Sequence, residues 1–183
     1  MLKSLAVVAA LVATPVVADG LDIEIAGPGA NGTVHIDLFE DVAPNHVAQI
    51  EALANEGAYN EVVFHRVIDG FMAQTGDVEF GKAGSDMRRA GTGGSQLPDL
   101  PAEFSDLNFD RGVVGMARSQ NPDSANSQFF IMFAPGAFLN GQYTVVGEVT
   151  SGMEVVDAIK KGEGANGAVI GEPDRMVSVT VTE

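Results

Sequence analysis

Leu21, Ile23 and Ile25 alternate with Asp22, Glu24 and Ala26, and Val34, Ile36 and Leu38 alternate with His35, Asp37 and Phe39. A period of two puts the apolar side chains on one face of a strand. The two runs, residues 21–26 and 33–39, are joined by a segment holding Gly27, Pro28, Gly29, Asn31 and Gly32, which predicts a β-hairpin. From Pro44 the period changes: Val47, Ile50, Leu53 and Ala54 recur at helical spacing, with Pro44 suited to the first turn and Gly57 to the stop. Residues 62–68 and 71–75 read as strands about an Asp69-Gly70 turn. Residues 78–110 lose periodicity and are rich in Gly, Ser, Pro and Asp, so a long irregular surface excursion is expected, of the kind that is functional or mobile. Residues 112–118, 128–133 and 143–149 are strand-like, the last after an Asn140-Gly141 turn. Ser151 and Glu154 form a capping-box pair that opens a second helix, with Met153, Val156 and Ile159 inward, Lys160 and Lys161 in its last turn and Gly162 beyond. The chain closes on Val177, Val179 and Val181 alternating with Ser178, Thr180 and Thr182. About eight short strands and two helices, without an internal repeat or linker, predict a mainly β fold: a closed eight-stranded antiparallel barrel capped by two α-helices.

Residues 1–18 stand outside this scheme. Lys3 precedes an apolar run from Leu5 to Ala13, followed by Thr14-Pro15, the small-residue ending Val16-Val17-Ala18 and Asp19. That order is the order of a cleavable signal peptide, and the run is shorter than the roughly 20 apolar residues that span a bilayer. The expected organisation is therefore a signal peptide over 1–18 and one folded domain over 19–183. The expected product is exported, and periplasmic if the source is Gram-negative, with no membrane anchor.

Composition narrows the chemistry. The 183 residues carry 25 acidic and 10 basic side chains, a net charge of -15, with no cysteine and no tryptophan. An apolar fraction of 45% with 19% charged residues excludes a disordered chain. A polyanion repels nucleic acid and anionic membranes, so neither is an expected partner. The absence of cysteine excludes disulfides, thiolate catalysis, Cys-ligated zinc, iron–sulfur clusters and a cysteine-borne lipid anchor. His35, His46 and His65 form no H-x-x-x-H or H-E-x-x-H pattern, and no G-x-S-x-G elbow is present, so no metal site, cofactor or serine nucleophile is expected. Gly91, Gly93 and Gly94 read as a flexible loop rather than a phosphate cradle, because no Gly-Lys-Ser/Thr follows. Asn31-Gly32-Thr33 fits a glycosylation triplet but sits where turn chemistry explains it.

What remains is one cation inside apolar strands. Arg66 lies in Phe64-His65-Arg66-Val67-Ile68, followed by Phe71-Met72-Ala73-Gln74, and further aromatic sets occur at Gln128-Phe129-Phe130 and Phe138-Leu139. Phe64 and Phe129 read as core. Strict alternation puts Phe64 and Arg66 on one face unless the strand bends, so the pattern leaves Arg66's environment open.

Residues 64–77, FHRVIDGFMAQTGD, resemble the signature of the cyclophilins, the peptidyl-prolyl cis–trans isomerases. RGVVGMAR, NSQFFI and FLNGQYTVVGEV match further segments of that family in the family's order, so the resemblance runs from about Ile23 to Val181. It implies a barrel with its substrate groove on the outer surface. The implied activity is rotation about Xaa–Pro bonds of proline-containing polypeptides, here folding exported proteins, by a monomer that needs no cofactor. Position by position, Arg66 matches the catalytic arginine, Gln74 the glutamine that positions it, and Phe130 with Phe71, Met72 and Leu139 the walls of the proline pocket. Gln128 matches a polar neighbour in the groove and Ala117 the backbone site that binds the peptide in extended form. Arg118 stands where asparagine is common, Phe138 where many members carry tryptophan, and Tyr143 where many carry histidine, which weakens the expectation of tight cyclosporin binding. Asp69 replaces a frequent proline and Thr75 a frequent glycine. Two other readings stand beside this one. The first is a non-catalytic chaperone or adaptor on the same fold. The second is a lipocalin-type carrier, against which the large interior-type residues speak, since they suggest a filled barrel.

Overall fold

A computed structural model describes residues 20–182, so the expected signal peptide over 1–18 lies outside the described residues. Strands β1 (Gly20–Ala26) and β2 (Gly32–Leu38) form the hairpin, in a register that sets Asp22 opposite His35 and Ile23 opposite Val34. Helix α1 (Pro44–Asn55) buries Val47, Ile50, Leu53 and Ala54 as its spacing requires, together with His46 and Gln49, and packs against the last strand. There follow β3 (Val62–Val63), β4 (Arg66–Ile68), β5 (Met72–Thr75), β6 (Val113–Met116), β7 (Phe129–Met132), β8 (Val145–Ser151), α2 (Met153–Ala158) and β9 (Arg175–Thr182). All nine strands belong to one antiparallel sheet, ordered β3-β9-β1-β2-β8-β6-β7-β5-β4.

The expected eight strands become nine because the run over 62–68 breaks. Val62 and Val63 pair with Met176 and Arg175 of β9, whereas Arg66, Val67 and Ile68 pair with Gln74, Ala73 and Met72 of β5. Only Phe64 and His65 separate the two pieces, so one bent run serves both ends of the sheet order. The sheet therefore curls back on itself, and its ends are joined by the chain rather than by a β3–β4 ladder. Inside the curl, Leu21, Ile23, Ile36, Phe64, Phe129 and Ile131 are all buried. Tyr59 meets Phe129 edge-on at 5.7 Å and donates its hydroxyl to the Ser127 carbonyl at 2.9 Å. This filled interior is the opposite of a carrier's ligand cavity. A second apolar cluster, Met72, Phe109, Val113, Phe130, Met132, Leu139 and Val145, lies apart from the first. Among the described residues, no helix is long and apolar enough to cross a membrane.

Several local expectations are corrected. Ser151 is the last residue of β8, and α2 begins at a left-handed Gly152 (φ 82°) with no side-chain cap, so Ser151 and Glu154 make no capping box. Helix α2 also ends at Ala158, before either lysine; Lys161 instead turns its Nζ back onto the carbonyls of Asp157 and Ile159, at 2.6 and 2.9 Å. In β9 a register shift opposite Glu24 and Ile25 breaks the valine alternation, so Met176 and Val179 are buried and Val177 is not. Helix α1 has Ala43 at its N-cap, which offers no side-chain acceptor. The acceptor comes from the excursion: Glu103 takes the N–H of Asn45 (3.2 Å) and His46 (3.1 Å) and the buried His46 ring (2.6 Å). The excursion is irregular apart from a short turn at Met87–Arg89, yet it is pinned in this way along its length.

Candidate active site

Sheet register brings the candidate residues together. Arg66 stands opposite Gln74, Gln74 opposite Phe130, and Phe130 opposite Gly115, so one transverse row crosses β4, β5, β7 and β6. Directly paired residues project from the same face of an antiparallel sheet. The break at Phe64-His65 settles the question that alternation left open: Phe64 is fully buried inside the curl, and Arg66 is half-buried on the other face. Gly115 is required by this row, because a Cβ there would lie 2.5 Å from the Phe109 ring and 2.7 Å from the Phe130 ring. Those two rings stack over it at 5.7 Å, and Tyr143 meets both edge-on, at 6.5 and 5.9 Å.

The row walls a cavity of about 240 Å³ lined by Arg66, Phe71, Met72, Gln74, Ala117, Arg118, Phe130, Phe138, Leu139 and Tyr143. Met72, Phe130 and Leu139 form its buried apolar part. Phe138 leans on Phe71 at 5.4 Å and is 66% exposed, a hydrophobic lip at the rim. Gln128 does not line this cavity; it lines a neighbouring polar depression of about 390 Å³ that shares Gln74, Ala117 and Arg118 with it. The backbone N–H of Ala117 donates to the Gln128 carbonyl at 2.9 Å.

Arg66 is held from two sides. One terminal nitrogen donates to Gln74 Oε1 at 3.0 Å, the other to Asn166 Oδ1 at 3.1 Å, and Nε donates to the Asn166 carbonyl at 3.0 Å. The first also donates to Met72 Sδ at 3.9 Å, and the second keeps a further N–H that no oxygen takes. The line continues from Gln74 Nε2 to Gln128 Oε1 (2.9 Å) and from Gln128 Nε2 to the Gly93 carbonyl (2.8 Å). Every donor in this chain points the same way, and the chain ends on an atom that can only accept. Burial lowers the guanidinium's pKa from its ordinary value, against an opposing influence from Tyr143, yet an arginine stays charged. His65, beside Arg66 and largely buried, is pushed down to about 4, first by burial and then by Arg66's charge, while Asp77 and the Val63 backbone pull it the other way.

Sequence reasoning missed two supports. Asn166 sits in a left-handed conformation (φ 55°) on the turn Ala165–Gly167, and the loop runs along β4 through the Arg66–Ala168 bridge. Its only signal was the Asn166-Gly167 pair, which marks a turn but not what its oxygens face. The second is Asp77, fully buried, which accepts from the N–H groups of Glu79 (3.2 Å), Phe80 (2.8 Å), Gly91 (2.7 Å) and Gly93 (3.0 Å). The glycine segment expected to be a flexible loop is thus tied down, and its amides converge on the chain's own carboxylate. Among the described residues, no group of three His, Cys, Asp or Glu could hold a metal ion.

A cation fixed beside a small apolar cavity, on the outside of a curled antiparallel sheet, is an arrangement able to hold an apolar group and to donate hydrogen bonds to what is attached to it. Residues 21–181 match the model of the cyclophilin type peptidyl-prolyl cis-trans isomerases. A probable peptidyl-prolyl cis-trans isomerase of Brucella suis is 63% identical over 153 residues, covering 82% of this chain and 78% of that one. Peptidyl-prolyl cis-trans isomerase B of Escherichia coli is 39% identical over 165 residues, covering 84% of this chain and 96% of that one. Among solved structures, a cyclophilin from Hirschia baltica superposes with a TM-score of 0.69 at 26% identity, over 88% of this chain and 73% of that one. A Cryptosporidium parvum cyclophilin, crystallised in the presence of the dipeptide Ala-Pro, gives 0.73 at 26%, over 90% and 99%. The chain belongs to the cyclophilin family and is a peptidyl-prolyl cis–trans isomerase.

Proposed function

We propose that Arg66 is the catalytic cation of this isomerase and that the cavity between Met72, Phe130 and Leu139 holds the prolyl ring. An Xaa–Pro amide interconverts over tens to hundreds of seconds, behind a barrier of about 18–20 kcal/mol set by amide resonance. When the bond twists, conjugation is lost and the prolyl nitrogen regains a basic lone pair. A donor aimed at that nitrogen binds the twisted state better than either planar state, and this difference lowers the barrier. The observation that carries the proposal is Arg66 itself: fixed by Gln74 and Asn166, it lines the apolar cavity with a terminal N–H to spare. Phe130 and Met72 grip the ring while the acyl side of the bond rotates, and Phe71, Phe138 and Tyr143 wall the groove. The peptide chain extends along Ala117 and Arg118 towards Gln128, in the depression that shares these residues. Gln74, with Gln128 behind it, keeps the guanidinium in place.

A charge-assisted bond made selectively in the twisted state contributes about 3 kcal/mol, or roughly 100-fold. Arg66→Ala is therefore expected to lower kcat/KM by about that factor while leaving the circular dichroism spectrum unchanged. Near-normal turnover of an Ala-Ala-Pro-Phe peptide by this variant overturns the assignment. Absence of turnover by the wild type would instead favour the non-catalytic, peptide-holding reading.

The segment 1–18 supports a second part of the proposal: the enzyme is exported, and periplasmic in a Gram-negative source, where as a monomer it assists the folding of exported chains. Expression of the full chain with a C-terminal tag, followed by fractionation, N-terminal sequencing and gel filtration, tests this. Retention of residue 1 on a cytoplasmic product refutes it.

A further inference from the structure

The chain carries a net charge of -15, yet the charged residues lining the groove cavity are Arg66 and Arg118, both cations. Arg118 lines the polar depression as well, so a chain passing from one hollow to the other crosses it. Its position is fixed. Nε and one terminal nitrogen donate to the Gln142 carbonyl at 3.3 and 2.7 Å, the other terminal nitrogen donates to the Ser119 carbonyl at 2.9 Å, and the guanidinium lies 4.3 Å from the centre of the Tyr143 ring. Both acceptors are neutral carbonyls. Among the described residues, no ion pair includes Arg118, whereas Arg88, Arg111 and Arg175 each meet a carboxylate. The acid that lines the polar depression, Asp99, does not line the groove cavity, and its Oδ1 already accepts from Asn126 at 2.9 Å. A half-buried, anchored and unneutralised guanidinium with N–H groups left over is suited to a carboxylate supplied from outside.

We propose that Arg118 makes this isomerase selective for proline flanked by an acidic residue. The proposal rests on the groove assignment above and adds a substrate class to it. With the prolyl ring between Met72 and Phe130, the residue leading towards the shared wall of Ala117 and Arg118 brings its side chain alongside the guanidinium. A glutamate there gains an ion pair and a lysine meets a like charge.

The test uses protease-free exchange NMR on four-residue peptides. These carry Glu, Ala or Lys immediately before the proline in one set and immediately after it in a second. Catalysed rates are normalised to the uncatalysed rate of each peptide. At one flank the wild type is expected to favour Glu over Lys by about three- to tenfold, the product of one weak attraction and one weak repulsion in a partly solvated site. Arg118→Gln is expected to bring that ratio close to one, and Arg118→Lys to retain a preference for Glu. Equal acceleration of Glu and Lys peptides at both flanks, or a Glu preference that persists unchanged in Arg118→Gln, overturns the inference and leaves the groove assignment standing. Failure of the wild type to accelerate even the alanine peptides overturns the groove assignment itself.

Discussion

Gln74→Glu replaces one oxygen-and-nitrogen pair by two oxygens at almost constant shape, and the donor chain through Gln74 makes its effect calculable. In the native order Arg66 donates to Gln74, Gln74 to Gln128, and Gln128 to the Gly93 carbonyl, at 3.0, 2.9 and 2.8 Å. An ionised glutamate at this position still accepts from Arg66 but donates nothing. Gln128, only 9% exposed, must then flip its amide to donate to the new carboxylate, which turns its own oxygen onto the Gly93 carbonyl. Two acceptors facing each other in a half-buried place cost about 1–3 kcal/mol, which for a domain of this size lowers Tm by roughly 2–10 °C. The same substitution pairs Arg66 with a fixed negative charge. The guanidinium is held at least as firmly, but its charge is partly neutralised where the prolyl nitrogen needs it. Loss of about half of a 3 kcal/mol contribution lowers kcat/KM about tenfold or more. Thermal unfolding followed by circular dichroism, together with an exchange assay on an Ala-Ala-Pro-Phe peptide, reads both numbers. A variant that melts with the wild type and turns over at the wild-type rate shows that the donor direction does not matter, and refutes the positioning role given to Gln74.

Asn166→Gly keeps the left-handed turn and the bond from Arg66 to the main-chain carbonyl but removes the Oδ1 acceptor, so kcat is expected to fall several-fold, by about 1 kcal/mol, with little change in Tm. Glu103→Ala uncaps α1 and leaves the fully buried His46 ring without its carboxylate, a loss of about 2–4 kcal/mol, which urea unfolding monitored by helix signal measures. His65 titrates at about 4 in the folded chain against 6.5 when solvated, so the unfolded state binds the proton first as pH falls. Its contribution is complete above 6.5 and is lost between 6.5 and 4, a decline of about 3 kcal/mol. His65→Phe is expected to flatten that part of the stability–pH curve, and a curve of unchanged slope contradicts the buried neutral histidine.

The legible parts of this fold are those written in neighbouring residues. The β1–β2 hairpin and the face of α1 followed from period and punctuation alone, and the groove-lining residues from long motifs that resemble a family. The illegible parts depend on partners far along the chain. Glu103 caps a helix through Asn45, 58 residues before it, Asn166 grips Arg66 across 100 residues, and the bulge that turns Val177 out of the core exists only relative to β1. Ser151 and Glu154 fit a local rule that failed because the demand of β2 for a pairing partner extends β8 through Ser151. The glycines at 91 and 93 read as a flexible loop, and nothing local pointed to Asp77 as the occupant of their amides.

The bend at Phe64-His65 also bears on how this protein meets proline-containing polypeptides. An open sheet offers its outermost backbone groups to any extended polypeptide, and a catalyst that handles such polypeptides is at particular risk of being recruited into their aggregates. Here the two outermost strands are two and three residues long. Each also has a bridge on its outer side, Val62 with Lys82 and Arg66 with Ala168. The two ends of the sheet therefore offer an extended polypeptide little unpaired strand to template on.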